Sequence, residues 1–272
     1  MSADPFRIRS HVADFDDIVD DIVERSAVAR REIAMIGDIA YGDGPSETLD
    51  IFFPEGPRTN LPVHLFIHGG YWRMFSKRDY SYMAQTITAA GAIAVIMDYA
   101  LMPAVRLGVL VDQTRRAGQW VVNHIAGYGG DPERLSVSGH SAGAHLATFL
   151  LHAGRRQPAM KSAFLLGGLY DLKPLQRSFL QNEISLTDQE VQEFTPLSKA
   201  YDQHCTVIVA VGSEETPPFH DQAARFADLL RMQKLKVQAV SVAGENHMSS
   251  VRDLGVRSQE FGKLLMAMVK LS

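Results

Sequence analysis

Short apolar runs recur along the chain, with stretches of helical periodicity between them. Val63–Ile67, Ala92–Met97, Leu135–Ser138, Ser162–Leu166, Thr206–Val211 and Val237–Val242 are such runs. Continuous apolarity, rather than alternation, predicts strands buried on both faces, as in a parallel sheet. Asp79–Ala90, Leu107–Ile125, Ala142–Ala153 and Phe219–Gln233 read as the intervening helices, and Ser258–Leu271 as a closing one. Two earlier segments, Glu32–Ile39 and Glu47–Phe53, read as strands. They are parted by Gly42 and Gly44 and ended by Pro54 and Gly56. The repeat predicts one α/β domain over 1–272, a mostly parallel twisted sheet of about eight strands with helices on both faces. Sites are expected at the carboxyl ends of the strands.

Two segments lie outside this rhythm. Asp14–Arg31 places Phe15, Ile18, Ile22, Val23, Ala27 and Val28 at helical spacing, so residues 1–31 are expected to form a helical lid or brace. Residues 171–203 have weak periodicity and contain Pro174 and Pro196. This stretch is expected to be an irregular excursion near the active site.

Composition narrows the function classes. Apolar residues make up 46% of the chain, enough for a core without a metal or disulfide staple. A net charge of −4 argues against nucleic acid or an anionic membrane as partner. The single cysteine, Cys205, permits no intrachain disulfide and no zinc-type cluster. No apolar window is long enough to span a membrane, and Met1–Val12 lacks the apolar region of a secretory signal. The expectation is a cytoplasmic enzyme acting on a small molecule, with no metal and no cofactor. The first and last helices each offer a face for a homodimer.

The chemistry concentrates in four places. Gly139-His140-Ser141-Ala142-Gly143 sits between an apolar strand and a predicted helix, the setting that exposes a nucleophilic serine on a sharp turn. His68-Gly69-Gly70-Tyr71-Trp72 follows the strand Val63–Ile67. The amides of Gly70 and Tyr71, with that of Ala142, are expected to form an oxyanion hole, with Gly69 as a substitute donor. His68 itself is expected to hold this loop. His247, just after the last strand, is positioned as the base. The acid follows Thr206–Val211, where Glu214 and Glu215 both qualify, with Asp171 and Asp98 as weaker candidates. Trp72, Phe75, Tyr170, Phe219 and Met248 are candidates for an aromatic substrate pocket. Arg73, Lys77, Arg78 and His220 are candidates to neutralise a substrate carboxylate.

Together these motifs closely resemble the kynurenine formamidase (arylformamidase) group of α/β-hydrolases, near the hormone-sensitive-lipase-like esterases. Tyr41-Gly42, Thr48 to Phe52, Tyr128 to Pro132, Gly168 to Leu172 and Thr216 to Phe219 extend the likeness, which runs from about Tyr41 to His247. In that family the acid directly precedes a Ser-Pro-x-Phe-like stretch. The resemblance therefore implies Glu215, where the family commonly has Asp. Ala100 stands where the family often carries Arg. The resemblance implies a Ser141–Glu215–His247 triad and hydrolysis of N-formylkynurenine to kynurenine and formate. The alternatives are a carboxylesterase on short acyl, aryl or carbamate esters and, from another class, a binding protein that has lost catalysis.

Overall fold

The computed structural model describes residues 3–153 and 160–271. Its eight strands are β1 (Met35–Ala40), β2 (Thr48–Phe52), β3 (Leu61–Ile67), β4 (Ile93–Met97), β5 (Gly130–His140), β6 (Ser162–Leu166), β7 (Thr206–Gly212) and β8 (Lys236–Val242). They form one sheet in the order β1-β2-β4-β3-β5-β6-β7-β8. β2 is antiparallel to both β1 and β4, and every other pairing is parallel.

The strand sequences explain this order. β4 and β6 are buried at every position, as suits the middle of a sheet covered on both faces. β1 and β8, at the two edges, are largely exposed or half-buried, and Lys236 starts β8. Helices cover the two faces. α1 (Phe15–Glu32), α2 (Met83–Ala89), α8 (His247–Leu254) and α9 (Glu260–Lys270) pack together on one. α3 (Leu107–His124), α4 (Ala142–Thr148) and α7 (Pro217–Met232) lie against the strands on the other. Among the described residues no helix is long and apolar enough to cross a membrane.

Several element boundaries differ from those read in the sequence. Residues 79–82 form turns ahead of α2, and α4 ends at Thr148 instead of reaching Ala153. β5 starts five residues before Leu135, at Gly130, because its polar first half pairs with β3 as Leu61↔Gly130. α8 was not anticipated. Asn246 caps it, its side chain accepting from the amides of Met248 and Ser249, each at 2.9 Å.

Residues 171–203 fold as short pieces: a 3-10 turn at Lys173–Arg177, α5 (Gln181–Ile184), α6 (Asp188–Phe194) and a further turn at Pro196–Ser198. A Thr187/Glu190 capping box starts α6. The Glu190 carboxylate also receives Arg106, which ties the excursion to the start of α3.

The N-terminal helix is tied to the sheet by an ion pair. Arg30 pairs with the fully buried Asp50, and Lys77, itself 1% exposed, pairs with Asp50 and Asp38. Each buried charge thereby has an opposite partner, which its burial requires. Ahead of α1, residues 4–12 run across the carboxyl edge of the sheet. The hydroxyls of Tyr71 and Thr216 donate to the carbonyls of Phe6 and Pro5, at 2.6 and 2.7 Å, and Asp4 accepts the Phe179 amide at 2.6 Å.

Candidate active site

All four candidate motifs leave the carboxyl ends of strands, three of them in the parallel core. The Gly-Gly loop follows β3, Ser141 follows β5, Glu215 follows β7, and His247 follows the edge strand β8.

Ser141 occupies the turn between β5 and α4 at φ 54° and ψ −117°. A non-glycine residue in such a conformation costs about 1–3 kcal/mol and persists only where its surroundings enforce it. Here the enforcement is visible. The Ser141 amide donates to the Leu166 carbonyl of β6 at 2.8 Å, and its own carbonyl accepts the His145 amide at 3.1 Å. The flanking glycines let the backbones close in. A Cβ on Gly139 would lie 2.3 Å from the Gly143 carbonyl oxygen, and one on Gly143 would lie 2.1 Å from that of Ile67. The sequence Gly-x-Ser-x-Gly is thus a steric condition for the turn.

His247, which lines the same cavity as Ser141, meets Glu215. His247 Nδ1 lies 2.7 Å from Glu215 Oε2, and the other carboxylate oxygen accepts the Gly212 amide at 3.1 Å. Both side chains are buried, at 4% and 0% exposure, so the pair is shielded from solvent screening. Glu214, by contrast, points to solvent. Asp171 is engaged with Arg225 at 3.1 Å, and Asp98 accepts the Lys77 amide at 2.7 Å. Nδ1 of His247 faces Glu215, so Nε2 is the ring nitrogen that does not face the carboxylate.

The other histidines near the site have structural partners. His68 stacks on Tyr99 with ring centres 4.2 Å apart, and its Nδ1 lies 2.8 Å from the Gly69 carbonyl. His145 accepts from the Trp72 indole at 3.3 Å and donates to the Phe194 carbonyl at 2.9 Å. Burial depresses its pKa to about 4, so it is neutral at pH 7. His140 donates from Nε2 to the His247 carbonyl at 3.0 Å and so fixes the backbone of the base. Burial, and then the neighbouring His247 charge, hold its pKa well below the ordinary histidine value.

The loop after β3 turns through three successive residues with positive φ: Gly70 at 107°, Tyr71 at 49° and Trp72 at 59°. Its Gly70 carbonyl is bound by the amides of Arg73 and Met74, at 3.0 and 3.1 Å. Among the described residues the amides of Gly70 and Tyr71 donate to no protein acceptor, nor does that of Ala142 at the start of α4. Unpaired amides at such a turn are free to donate to a ligand oxygen.

Ser141, His247, Gly70 and Tyr71 line one cavity of about 270 Å³. Of the five pocket candidates, Phe75 and Met248 line it. Trp72 and Tyr170 do not. With the backbone left-handed at Trp72, the indole turns into the core against His145, and Tyr170 stacks on Phe226 of α7 with ring centres 4.1 Å apart. Phe219 is also core, with its ring 4.5 Å from that of His247. Among the carboxylate-neutralising candidates only Arg73 reaches the cavity. Lys77 and Arg78 are paired with Asp38, and His220 lies elsewhere on α7.

The walls include residues that sequence reasoning missed: Arg7, Ile8 and Phe15 from the N-terminal segment, Tyr80, and Phe179 and Glu183 from the excursion. The sequence signals for these walls were segmental: residues 1–31 read as a lid or brace, and residues 171–203 read as an excursion near the active site.

A doubly wound sheet with a strained serine between strand and helix, and an acid–base pair on later strand ends, defines a serine hydrolase of the α/β-hydrolase fold. Comparison with known proteins agrees. The family model described as BD-FAE matches residues 49–211. A kynurenine formamidase from Danio rerio is 31% identical, over 99% of this chain and 91% of its own length. Among solved structures, a Silicibacter protein described as a thioesterase superposes with a TM-score of 0.85 at 24% identity, over 98% of both chains. An esterase from Pyrobaculum calidifontis gives a TM-score of 0.78 at 18% identity, over 94% of this chain and 92% of its own. The chain belongs to the kynurenine formamidase family of α/β-hydrolases.

Proposed function

We propose that this hydrolase cleaves an aryl formamide such as N-formylkynurenine, giving kynurenine and formate, with Ser141 as nucleophile, His247 as base and Glu215 as the acid that orients it. The observation that carries the reading is that Ser141 and His247 line one cavity walled by Phe75, Tyr80 and Phe179, with Glu215 held against His247 from outside it. Its walls suit a flat ring.

In this reading His247 Nε2 takes the Ser141 proton as Oγ attacks the formyl carbon. The amides of Gly70, Tyr71 and Ala142 receive the oxyanion, and Glu215 stabilises the imidazolium. The C–N bond then breaks as Nε2–H protonates the departing aryl amine. A water, deprotonated by the same nitrogen, cleaves the formyl–Ser141 ester and releases formate. The aryl amine is a poor leaving group, so the return of that proton is the step that most needs a correctly oriented imidazole.

A second reading, a carboxylesterase on short acyl or aryl esters, is favoured by the esterase fold neighbours and uses the same residues. The two are separated by kcat/KM for N-formyl-L-kynurenine against that for p-nitrophenyl acetate. A ratio well above one is expected. Ester cleavage without formamide turnover would remove the formamidase reading.

A further inference from the structure

Four charged residues line the active-site cavity, Arg7, Arg9, Arg73 and Glu183, and none is used by the Ser141 chemistry. They sit at its open side. The Arg73 and Glu183 side chains are 33% and 30% exposed, whereas Ser141 and His247 are 2% and 4% exposed. Arg9 is committed to Asp16 at 2.5 Å. Arg73 Nη2 lies 2.5 Å from Glu183 Oε2. That oxygen is itself shut off from solvent, while the Glu183 side chain as a whole is partly exposed. The Arg7 guanidinium lies 4.3 Å from the centre of the Phe179 ring, and no carboxylate pairs with it among the described residues.

We propose that Arg73 and Glu183, with Arg7 beside them, recognise a zwitterion: the α-carboxylate and α-ammonium of an amino acid carried on the aryl substrate. This rests on the formamidase reading for its aryl formamide end. The alternation of sign selects the ligand. A lone carboxylate would meet Glu183 as a like charge, and a lone amine would meet the arginines. A group bearing both charges one carbon apart can lay its carboxylate on Arg73 and Arg7 and its ammonium on the Glu183 carboxylate. In a partly exposed position the Arg73–Glu183 pair by itself adds little to folding. Arg73 belongs to the loop that carries Gly70 and Tyr71, so a substrate held there is fixed relative to the oxyanion amides.

The test measures inhibition of p-nitrophenyl acetate hydrolysis by L-kynurenine and by 2′-aminoacetophenone, which keeps the aryl ketone but lacks the amino acid. In wild type the Ki for kynurenine is expected to be about tenfold or more below that for the ketone, the range of a charge-assisted hydrogen bond. In Glu183→Gln and Arg73→Gln the ratio is expected to fall towards one, while Glu183→Asp retains most of it. Equal Ki values in wild type, or variants that shift both compounds alike, would overturn the clamp. The wild-type ratio decides even if a variant does not fold. Formamide turnover is scored separately. Charge-dependent inhibition without turnover would keep the clamp and remove the formamidase reading, and turnover with equal Ki values would do the reverse.

Discussion

Glu215→Gln is the substitution that probes the site most sharply. The two side chains are nearly isosteric, and Glu215 is fully buried, so the change is electronic rather than steric. In the native site one carboxylate oxygen accepts the Gly212 amide and the other faces His247 Nδ1 at 2.7 Å. A glutamine can keep only one of these as an acceptor. If its oxygen stays with Gly212, its NH2 meets Nδ1 and forces the proton onto Nε2, the nitrogen that must accept from Ser141. The variant also loses the charge opposite the imidazolium. Two unit charges about 4 Å apart at an effective dielectric of about 20 attract by about 4 kcal/mol, which is about a thousandfold in rate. Adding the tautomer penalty, kcat/KM for p-nitrophenyl acetate is expected to fall by about three to four orders of magnitude. Glu215→Asp keeps the charge and should lose far less. Glu214→Gln, at an exposed position, should change kcat/KM by less than about twofold. A Glu215→Gln enzyme within tenfold of wild type, with the larger loss in Glu214→Gln, would refute the reasoning and move the acid one residue.

Three further outcomes are expected. A fluorophosphonate probe should label the wild type and not Ser141→Ala, as read by fluorescence in a denaturing gel; labelling of both would place the nucleophile elsewhere. Gly143→Ala puts a Cβ 2.1 Å from the Ile67 carbonyl oxygen, so it should cost about 1–3 kcal/mol and lower the Tm by about 5 °C, together with activity; an unshifted melting curve would contradict the packing of the elbow. Burial depresses the pKa of His64 to about 3 and that of His145 to about 4. The unfolded chain protonates both near pH 6.5 and the folded one does not, so U binds more protons in this window and stability falls as pH drops from about 6.5 towards 4. A urea midpoint that rises over that range would count against the neutral buried state of these rings.

The order of elements was legible because each strand of the parallel core is apolar on both faces and each long helix is amphipathic, and both are properties of local sequence. Ser141 stood out for a similar reason: the glycines at 139 and 143 record a backbone crowding that allows no other residue. Boundaries were less legible where pairing overrides local preference. The polar start of β5 becomes strand only because Gly130 aligns with Leu61 of β3, and α8 is short and begins at a residue read for its chemistry.

What only the tertiary structure decided lies between elements distant in sequence. By position Glu214 and Glu215 both qualified, and only the family resemblance pointed to Glu215; physically it is the turn after β7 that sends Glu214 to solvent and Glu215 to His247, 32 residues on. Trp72 and Phe75 are both aromatic residues of one loop, yet the first is packed on His145 and the second lines the cavity. The roof made by Arg7, Phe179 and Glu183 joins the first residues of the chain to an excursion some 170 residues later, an arrangement that no local pattern encodes. Periodicity reports which side of an element is buried. It does not report what the buried side meets, and a substrate site is made of those meetings.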